Sequence, residues 1–417
     1  MKMRFLLPWV CLLVPPALHA DPVLRPNDVV AICGDSITQR KVYSIYIEDY
    51  LLMCQPVPGI RTVQFGSNGA GAYVLGKRTP RDLVFFHPTV VTMMYGMNDG
   101  QYKPLNDERA NAFRRGTTDT LDALKKAGVR EIVVGSPSCV DWKGNPANRE
   151  MYNTTLAGLG DISREVAQQK NVIFADIHGE MAAAIAKGEA VSPNFYVGGD
   201  GTHVGPAGHL MIAYALLKGL GCDGAIGTIT VDLTANEAEG TPGQKILSVR
   251  DGKIDVESTR YPFCFLPNPA DYARDMTTAS VLPYLPFNAD LNRYLLVVKG
   301  LTSGHAKVTW GAQSHEFAAA DLGKGINLAD AFPTDNPFSA AFTKVDAAVR
   351  DQQDQETRVT WGFLADANDA LRAALPAQTS ILDQIQKAAL DRCDTLAAVA
   401  VANIVPVHHT IVIEPIP

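Results

Sequence analysis

The chain has 417 residues, 47% hydrophobic and 19% charged, with 34 glycines, 26 prolines and a mean hydropathy near zero. That composition excludes disordered, collagen-like and coiled-coil classes and supplies apolar material for one large core or two ordinary ones. Lys and Arg total 37 against 44 Asp and Glu, a net −7 with no basic run. Nucleic acid and anionic membrane are therefore excluded as partners, and a neutral or small ligand is expected.

The first twenty residues, MKMRFLLPWVCLLVPPALHA, set Lys2 and Arg4 before an apolar run from Phe5 to Val14 and end at Ala20. This is the pattern of a secretory signal peptide, its apolar stretch being too short to span a bilayer. The mature chain is expected to be secreted or periplasmic, with no membrane span; an uncleaved N-terminal anchor is the alternative. Leu18 stands where a small residue is preferred, which leaves the cleavage position open. Cys11 lacks the small preceding residues that a lipoprotein signal needs. Beyond it lie Cys33, Cys54, Cys139, Cys222, Cys264 and Cys393, an even number that permits disulfides in an exported chain. A Cys222–Cys264 bridge and free core thiols both fit.

From residue 21 to about 221, short apolar runs alternate with helical patterns. Val29–Cys33, Arg61–Phe65, Val90–Met94, Glu131–Val134 and Val172–Ala175 read as strands. Between them, Tyr43, Tyr46, Ile47, Tyr50 and Leu51 form the stripe of a core-facing helix. Asn106 caps a second helix that Gly128 ends, with Asp107 and Glu108 in its first turn and Lys125 and Lys126 in its last. Further helices are expected over about Asn148–Lys170 and Pro206–Leu220. Strands buried on both faces and alternating with helices predict a three-layer α/β/α sandwich around a parallel central sheet, whose ligand site lies beyond the carboxyl ends of the strands. Past residue 221 the texture changes. Residues 222–417 are expected to form a C-terminal α+β accessory region, β-rich to about 317 and then mainly helical, ending in a strand-like tail from His408 to Ile413.

The loops after the strands carry the chemistry. The first strand runs into Gly34-Asp35-Ser36-Ile37-Thr38 and then a helix, so Ser36 sits where free amides and the helix dipole favour a developing negative charge; capping the helix is its plainer role. Gly66-Ser67-Asn68-Gly69 comes after the second strand, and glycines there let backbone N–H groups approach a ligand. Asn98 and Asp99 come after the third; Asn98 fits a turn former as well as an amide donor, and Asp99 is expected to cap or brace its own loop. Asp200 and His203 stand three apart before the last helix of this unit, where a carboxylate can hold the Nδ1 proton and leave Nε2 as a base. His209, His87 and His178 read as surface or satisfied structural histidines. Trp142 and Tyr152 fit either a sugar-binding rim or core packing.

Taken together, the serine, glycine, asparagine and Asp-x-x-His blocks, in this order and at these strand ends, resemble the SGNH hydrolase (GDSL esterase) family over about residues 27–221. The resemblance implies that Ser36 is the nucleophile, His203 the base and Asp200 its orienting acid. It also implies an oxyanion hole formed by the Ser36 N–H, the Gly69 N–H (Gly66 being the alternative) and the Asn98 side chain. Gln64 departs from the family pattern, which often has Asn there, as does Met97, where a small residue commonly precedes the Asn. On this reading an acyl-enzyme forms on Ser36 and water releases it, with no metal and no organic cofactor. Export and the family's many carbohydrate deacetylases make O-acetyl groups on a polysaccharide the expected ester substrate. A short-chain or aryl esterase, a lipase and a polysaccharide O-acyltransferase are the alternatives, and a non-catalytic carbohydrate-binding protein is a further one. A metallophosphoesterase would need further Asp and His ligands that the sequence lacks.

Overall fold

Five apolar runs form one parallel sheet: β1 (Val29–Gly34), β2 (Arg61–Gly66), β3 (Val90–Met94), β4 (Glu131–Gly135) and β5 (Ile173–Ala175). They lie in the order β2-β1-β3-β4-β5 in a computed structural model that describes residues 22–362, 364 and 366–416. The signal-like segment 1–20 and Cys11 lie outside the described residues. Every side chain of β3 is buried. These strands are covered on both faces, which is why their sequences run apolar without alternation. Adjacent side chains serve opposite layers: Val30 and Ile32 pack into one core, Ala31 and Cys33 into the other.

The helices divide accordingly. α1 (Ser36–Gln39) is a single turn, and α2 (Tyr43–Asp49) continues into a wider π turn, Tyr50–Cys54. α3 (Ala72–Arg78), α4 (Asp107–Lys126) and α5 (Pro146–Gln169) come next, then α6 (Ile177–Val191) and α7 (Pro206–Gly219). Residues of α2, α6 and α7 share one core with Val30, and residues of α3, α4 and α5 share the other with Ala31. This is the expected three-layer α/β/α sandwich. As the charges of its first turn suggest, α4 is capped by Asn106, whose side chain accepts from the Arg109 amide at 3.0 Å.

The carboxyl ends of β1 and β3 form the crevice of this sheet. The chain leaves β1 toward β2 on one side and returns to place β3 on the other, so the connections diverge there and open a space for ligand.

Beyond α7 the chain adds sheets and helices. A four-stranded sheet contains Ala225–Asp232 and Arg293–Lys299. A five-stranded sheet contains Gln244–Arg250, Lys253–Ser258, His305–Trp310, Gln313–Ala318 and the tail strand Val407–Ile416. The long helix Ser339–Gly362 then returns to pack on α2 and β2, with Thr379–Ala402 alongside it. Cys33, Cys54, Cys139, Cys222, Cys264 and Cys393 are all free thiols, so the Cys222–Cys264 bridge does not form in the structure. Among the described residues no helix is long and apolar enough to cross a membrane.

Candidate active site

The site begins where β1 stops. Gly34 has no room for a side chain, since a Cβ there would strike Thr38 Oγ1 and the Met94 carbonyl. This tight packing turns the chain sharply into α1. Asp35 caps that turn, its Oδ1 accepting from the Ile37 amide at 2.9 Å. Ser36 is thereby held at the first position of the helix, half-buried at the end of the sheet. Capping thus falls to Asp35, which leaves the Ser36 hydroxyl for another partner.

That partner is His203. Its Nε2 lies 2.8 Å from Ser36 Oγ, and its Nδ1 lies 2.8 Å from Asp200 Oδ2. The carboxylate holds the ring proton on Nδ1, so Nε2 accepts from the serine hydroxyl. Asp200 Oδ1 also accepts from the backbone amides of His203 (2.7 Å) and Thr202 (2.9 Å), which fixes the turn. Burial pushes the Asp200 carboxyl up, but the bonds from the His203 amide and ring and the Thr202 amide outweigh it and hold the group below the usual carboxylate range. Arg40, 3.8 Å from Asp200 Oδ2, adds positive charge on the solvent side.

The other two strand-end loops face this pair. Gly69 has φ +69°, in the left-handed region, and a Cβ there would meet nothing within 4 Å; it borders open space. Gly66, the alternative, ends β2 against the Gln39 backbone, where a Cβ would collide, and its carbonyl accepts from Trp361 Nε1 at 2.9 Å. Packing accounts for Gly66, and exposure to the cleft accounts for Gly69. Asn98 Nδ2 donates to the Ala70 carbonyl at 3.1 Å and lies 3.5 Å from Asp35 Oδ2. Asp99 braces its loop through a neighbouring element: its Oδ1 accepts from the Ala72 amide at 3.0 Å, so it caps α3 and ties the β3 loop to the β2 loop. Burial pushes the carboxyls of Asp35 and Asp99 up, to about 7 and about 6.

Ser36, Gly69, Asn98 and His203 line one open cleft of about 570 Å³, together with Gln39, Arg40, Asn68 and Tyr102. Asp200 reaches the same group through His203. An imidazole so placed can take a serine proton, and amide donors around a cleft can hold a carbonyl oxygen as it gains charge.

Other residues singled out by type lie elsewhere. His209 is fully buried and stacks on Tyr43 at 5.9 Å, and neither ring nitrogen has a hydrogen-bond partner in the structure. Burial, with Arg40 and His203 nearby, pushes its imidazole down to about 3. His178 lies beside Cys139, 3.5 Å from Nδ1 to Sγ, and His87 is exposed. Tyr152 is core, its hydroxyl donating to the Met97 carbonyl. Trp142 is half-buried against it and donates from Nε1 to Thr202 Oγ1 at 3.0 Å. Among the described residues no group of three His, Cys, Asp or Glu side chains is placed to hold a metal ion.

The C-terminal region supports the site from behind. Gln64 Nε2 donates to the Thr38 carbonyl of α1 at 2.8 Å, while its Oε1 accepts from Thr357 Oγ1 at 3.1 Å. Its own amide donates to Glu356 Oε2 at 2.8 Å. Glu356 and Glu48 are both fully buried and are bridged by Gln352 Nε2, at 3.1 and 2.9 Å. Burial pushes both carboxyls up. On the histidine side, Asp275 Oδ2 accepts from the Gly199 amide, next to Asp200, at 3.1 Å. Short motifs reveal neither Gln64's partners nor Tyr102. The one sequence signal for Tyr102 is its place in the loop that carries Asn98.

The sequence profile of the GDSL-like lipase/acylhydrolase family matches residues 32–211. An acetylxylan esterase of Geobacillus stearothermophilus is 25% identical over 184 residues, covering 43% of this chain and 80% of that protein. A solved structure of Axe2, an acetylxylan esterase from the same organism, aligns at 20% identity over 47% of this chain and 95% of that one, with a TM-score of 0.39. A gut microbial diltiazem-metabolizing enzyme of known structure aligns at 22% identity over 94% of this chain and 98% of that one, with a TM-score of 0.73. That likeness takes in the C-terminal sheets and helices as well as the sandwich. Residues 32–211 thus carry a GDSL-like lipase/acylhydrolase (SGNH) domain, the domain of an esterase or acylhydrolase.

Proposed function

We propose that this protein is a secreted serine esterase that removes O-acetyl groups from carbohydrate through an acyl-enzyme on Ser36. The observation that carries the mechanism is the continuous pair of 2.8 Å contacts, Ser36 Oγ to His203 Nε2 and His203 Nδ1 to Asp200 Oδ2. A serine hydroxyl is a weak nucleophile until a base takes its proton in the transition state. His203 accepts that proton as Oγ bonds to the ester carbonyl carbon, and the carbonyl electrons move onto oxygen. The Ser36 and Gly69 amides and the Asn98 side chain donate to that oxyanion. Collapse of the intermediate breaks the bond to the alcohol oxygen, which leaves with the proton from Nε2. Water then repeats the sequence on the acyl-enzyme, giving acetate and free Ser36. Asp200 keeps the ring in its working tautomer and stabilises the imidazolium as it forms.

The substrate reading rests on the signal-like segment 1–20, the acidic chain and the acetylxylan esterase among its relatives. The test is acetate release from a panel of acetylated polysaccharides, run beside short and long synthetic esters, with the native protein and Ser36→Ala. The native protein is expected to release acetate from at least one polysaccharide, and the variant to stay folded and release none. Activity retained by Ser36→Ala would overturn the mechanism; native activity confined to synthetic esters would overturn the substrate.

A further inference from the structure

Tyr102 lines the cleft with Ser36, Asn98 and His203, yet acyl transfer makes no use of it. It is 45% exposed, unusual for a large aromatic beside so much buried apolar surface. Its backbone lies in the left-handed region, φ +56°, directly after Gln101 at φ +54°. Two successive non-glycine residues there cost conformational energy that surrounding contacts must offset, and such positions cluster where a side chain is aimed for a purpose. Hydrogen bonds close the loop on either side, from the Gln101 amide to the Asn98 carbonyl (3.1 Å) and from the Lys103 amide to the Gly100 carbonyl (3.2 Å). The Tyr102 backbone is therefore held relative to Asn98.

Its neighbours fix it further. Tyr102 stacks on Tyr152, with ring centroids 5.0 Å apart and planes at 28°. Trp142 lies 6.2 Å from Tyr102 and stacks on Tyr152 at 5.6 Å and 9°. Trp142 is in turn bonded to Thr202, the residue before His203. This three-ring cluster ties the exposed ring to the turn that carries the histidine.

The placement decides which part of the ester meets the ring. The oxyanion donors lie on the Gly69 and Asn98 loops, whereas the leaving alcohol is the group that takes its proton from His203 Nε2. Tyr102 rises from the Asn98 loop and is joined through Tyr152 and Trp142 to the turn of His203, so its ring borders the cleft beside both Asn98 and the histidine that protonates the departing alcohol. A rigid aromatic face in water binds best what presents a flat apolar face of its own: the C–H face of a pyranose, or an aryl ring. We infer that Tyr102 is a specificity-determining residue, a platform that selects esters of ring-shaped alcohols. The inference rests on the Ser36–His203 reading for its orientation but not on the sugar being the natural substrate.

The test compares kcat/KM on three acetates, an acetylated xylopyranoside, phenyl acetate and ethyl acetate, for the native enzyme and for Tyr102→Phe, Tyr102→Leu and Tyr102→Ala. Each variant is checked by its melting temperature and by titration of reactive serine. The ratio of ring to acyclic kcat/KM is expected to fall about tenfold in the Ala and Leu variants and to stay within about twofold in Phe. Failure of Leu to restore the ratio marks the flat face, rather than bulk, as the selecting feature. A ratio unchanged in folded Ala and Leu variants overturns the inference, as does an equal loss on all three acetates. A tenfold fall on phenyl acetate alone, with no native activity on the xylopyranoside, upholds the platform and overturns the carbohydrate reading. Loss of native activity on every ester would instead count against the catalytic reading itself.

Discussion

Removing the Asn98 amide isolates the electrostatic part of the mechanism. Its Nδ2 is anchored by one hydrogen to the Ala70 carbonyl at 3.1 Å, and its remaining contact, to Asp35 Oδ2, is long at 3.5 Å. The second hydrogen is therefore available to a negative charge in the cleft without giving up the anchor. Deleting one preorganised donor of this kind costs about 3 kcal/mol of transition-state stabilisation, or roughly a hundredfold in kcat. The Ala70 carbonyl also loses its partner, worth about 1 kcal/mol of stability. Asn98→Ala should thus lower kcat roughly a hundredfold on an activated acetyl ester, while KM changes little because the charge exists only in the transition state. The stability loss should be small, and the melting temperature should fall only about 2 °C. Active-site titration during the first turnover would separate slow chemistry from a reduced fraction of competent enzyme. Asn98→Asp, which keeps the shape but presents an acceptor, should be slower still. A kcat within about threefold of the parent, in a folded Asn98→Ala protein, would refute the assignment of Asn98 to the oxyanion.

Two further changes probe the frame. Gln64→Leu should lower both stability and kcat, because it removes the Nε2 donor from the Thr38 carbonyl of the nucleophile's helix and leaves that carbonyl to backbone amides alone; about 1 kcal/mol should appear in urea unfolding, and kcat should fall several-fold with KM little changed. His409 is buried and neutral, with Trp310 Nε1 donating to its Nδ1 at 3.1 Å and its Nε2 within 3.0 Å of Ser258 Oγ and Tyr294 OH. Burial, with His408 beside it, holds its imidazole down to about 4. The unfolded chain therefore takes up a proton at higher pH than the native one does. Stability from this group is complete above about pH 6.5 and drains away as pH falls toward 4, by about 3 kcal/mol in all. Urea unfolding at pH 7 and pH 4.5 should show a smaller acid loss in His409→Gln than in the parent, and equal losses would refute the assignment.

Much of the sandwich is legible in the sequence because its strands are buried on both faces. Val29–Cys33 and Val90–Met94 carry no polar alternation, so they announce a parallel sheet and mark the loop after each strand as the place for chemistry. The loops of Ser36, Gly66–Gly69 and Asn98 are found that way, the Asp200–His203 pair by its spacing before the last helix, and Gly69 through the family resemblance; the structure brings Ser36, Gly69, Asn98 and His203 to one cleft, with Asp200 behind the histidine. The helix α6 escapes notice because Ile177–Val191 is rich in alanine and buries only scattered residues such as Met181 and Ile185, which leaves little contrast between its faces. The start of α5 lies at Pro146, with Asn145 capping the Asn148 amide; a proline at the first helical position is a signal that the apolar stripe alone does not weigh. Tyr102 owes its position to two left-handed residues and a ring cluster assembled from separate loops, neither of which leaves a periodic trace. The support from Thr357 and Glu356 to Gln64 joins residues nearly 300 positions apart, beyond the reach of local pattern.

The strand Val407–Ile416 lies inside its sheet, paired with His305–Trp310 on one side and Lys253–Ser258 on the other. A strand from the far end of the C-terminal region thus fills an interior slot, and its removal would leave two raw edges open to pairing with other chains. It acts as a keystone, since the hairpins on its two sides become one sheet only when it is in place.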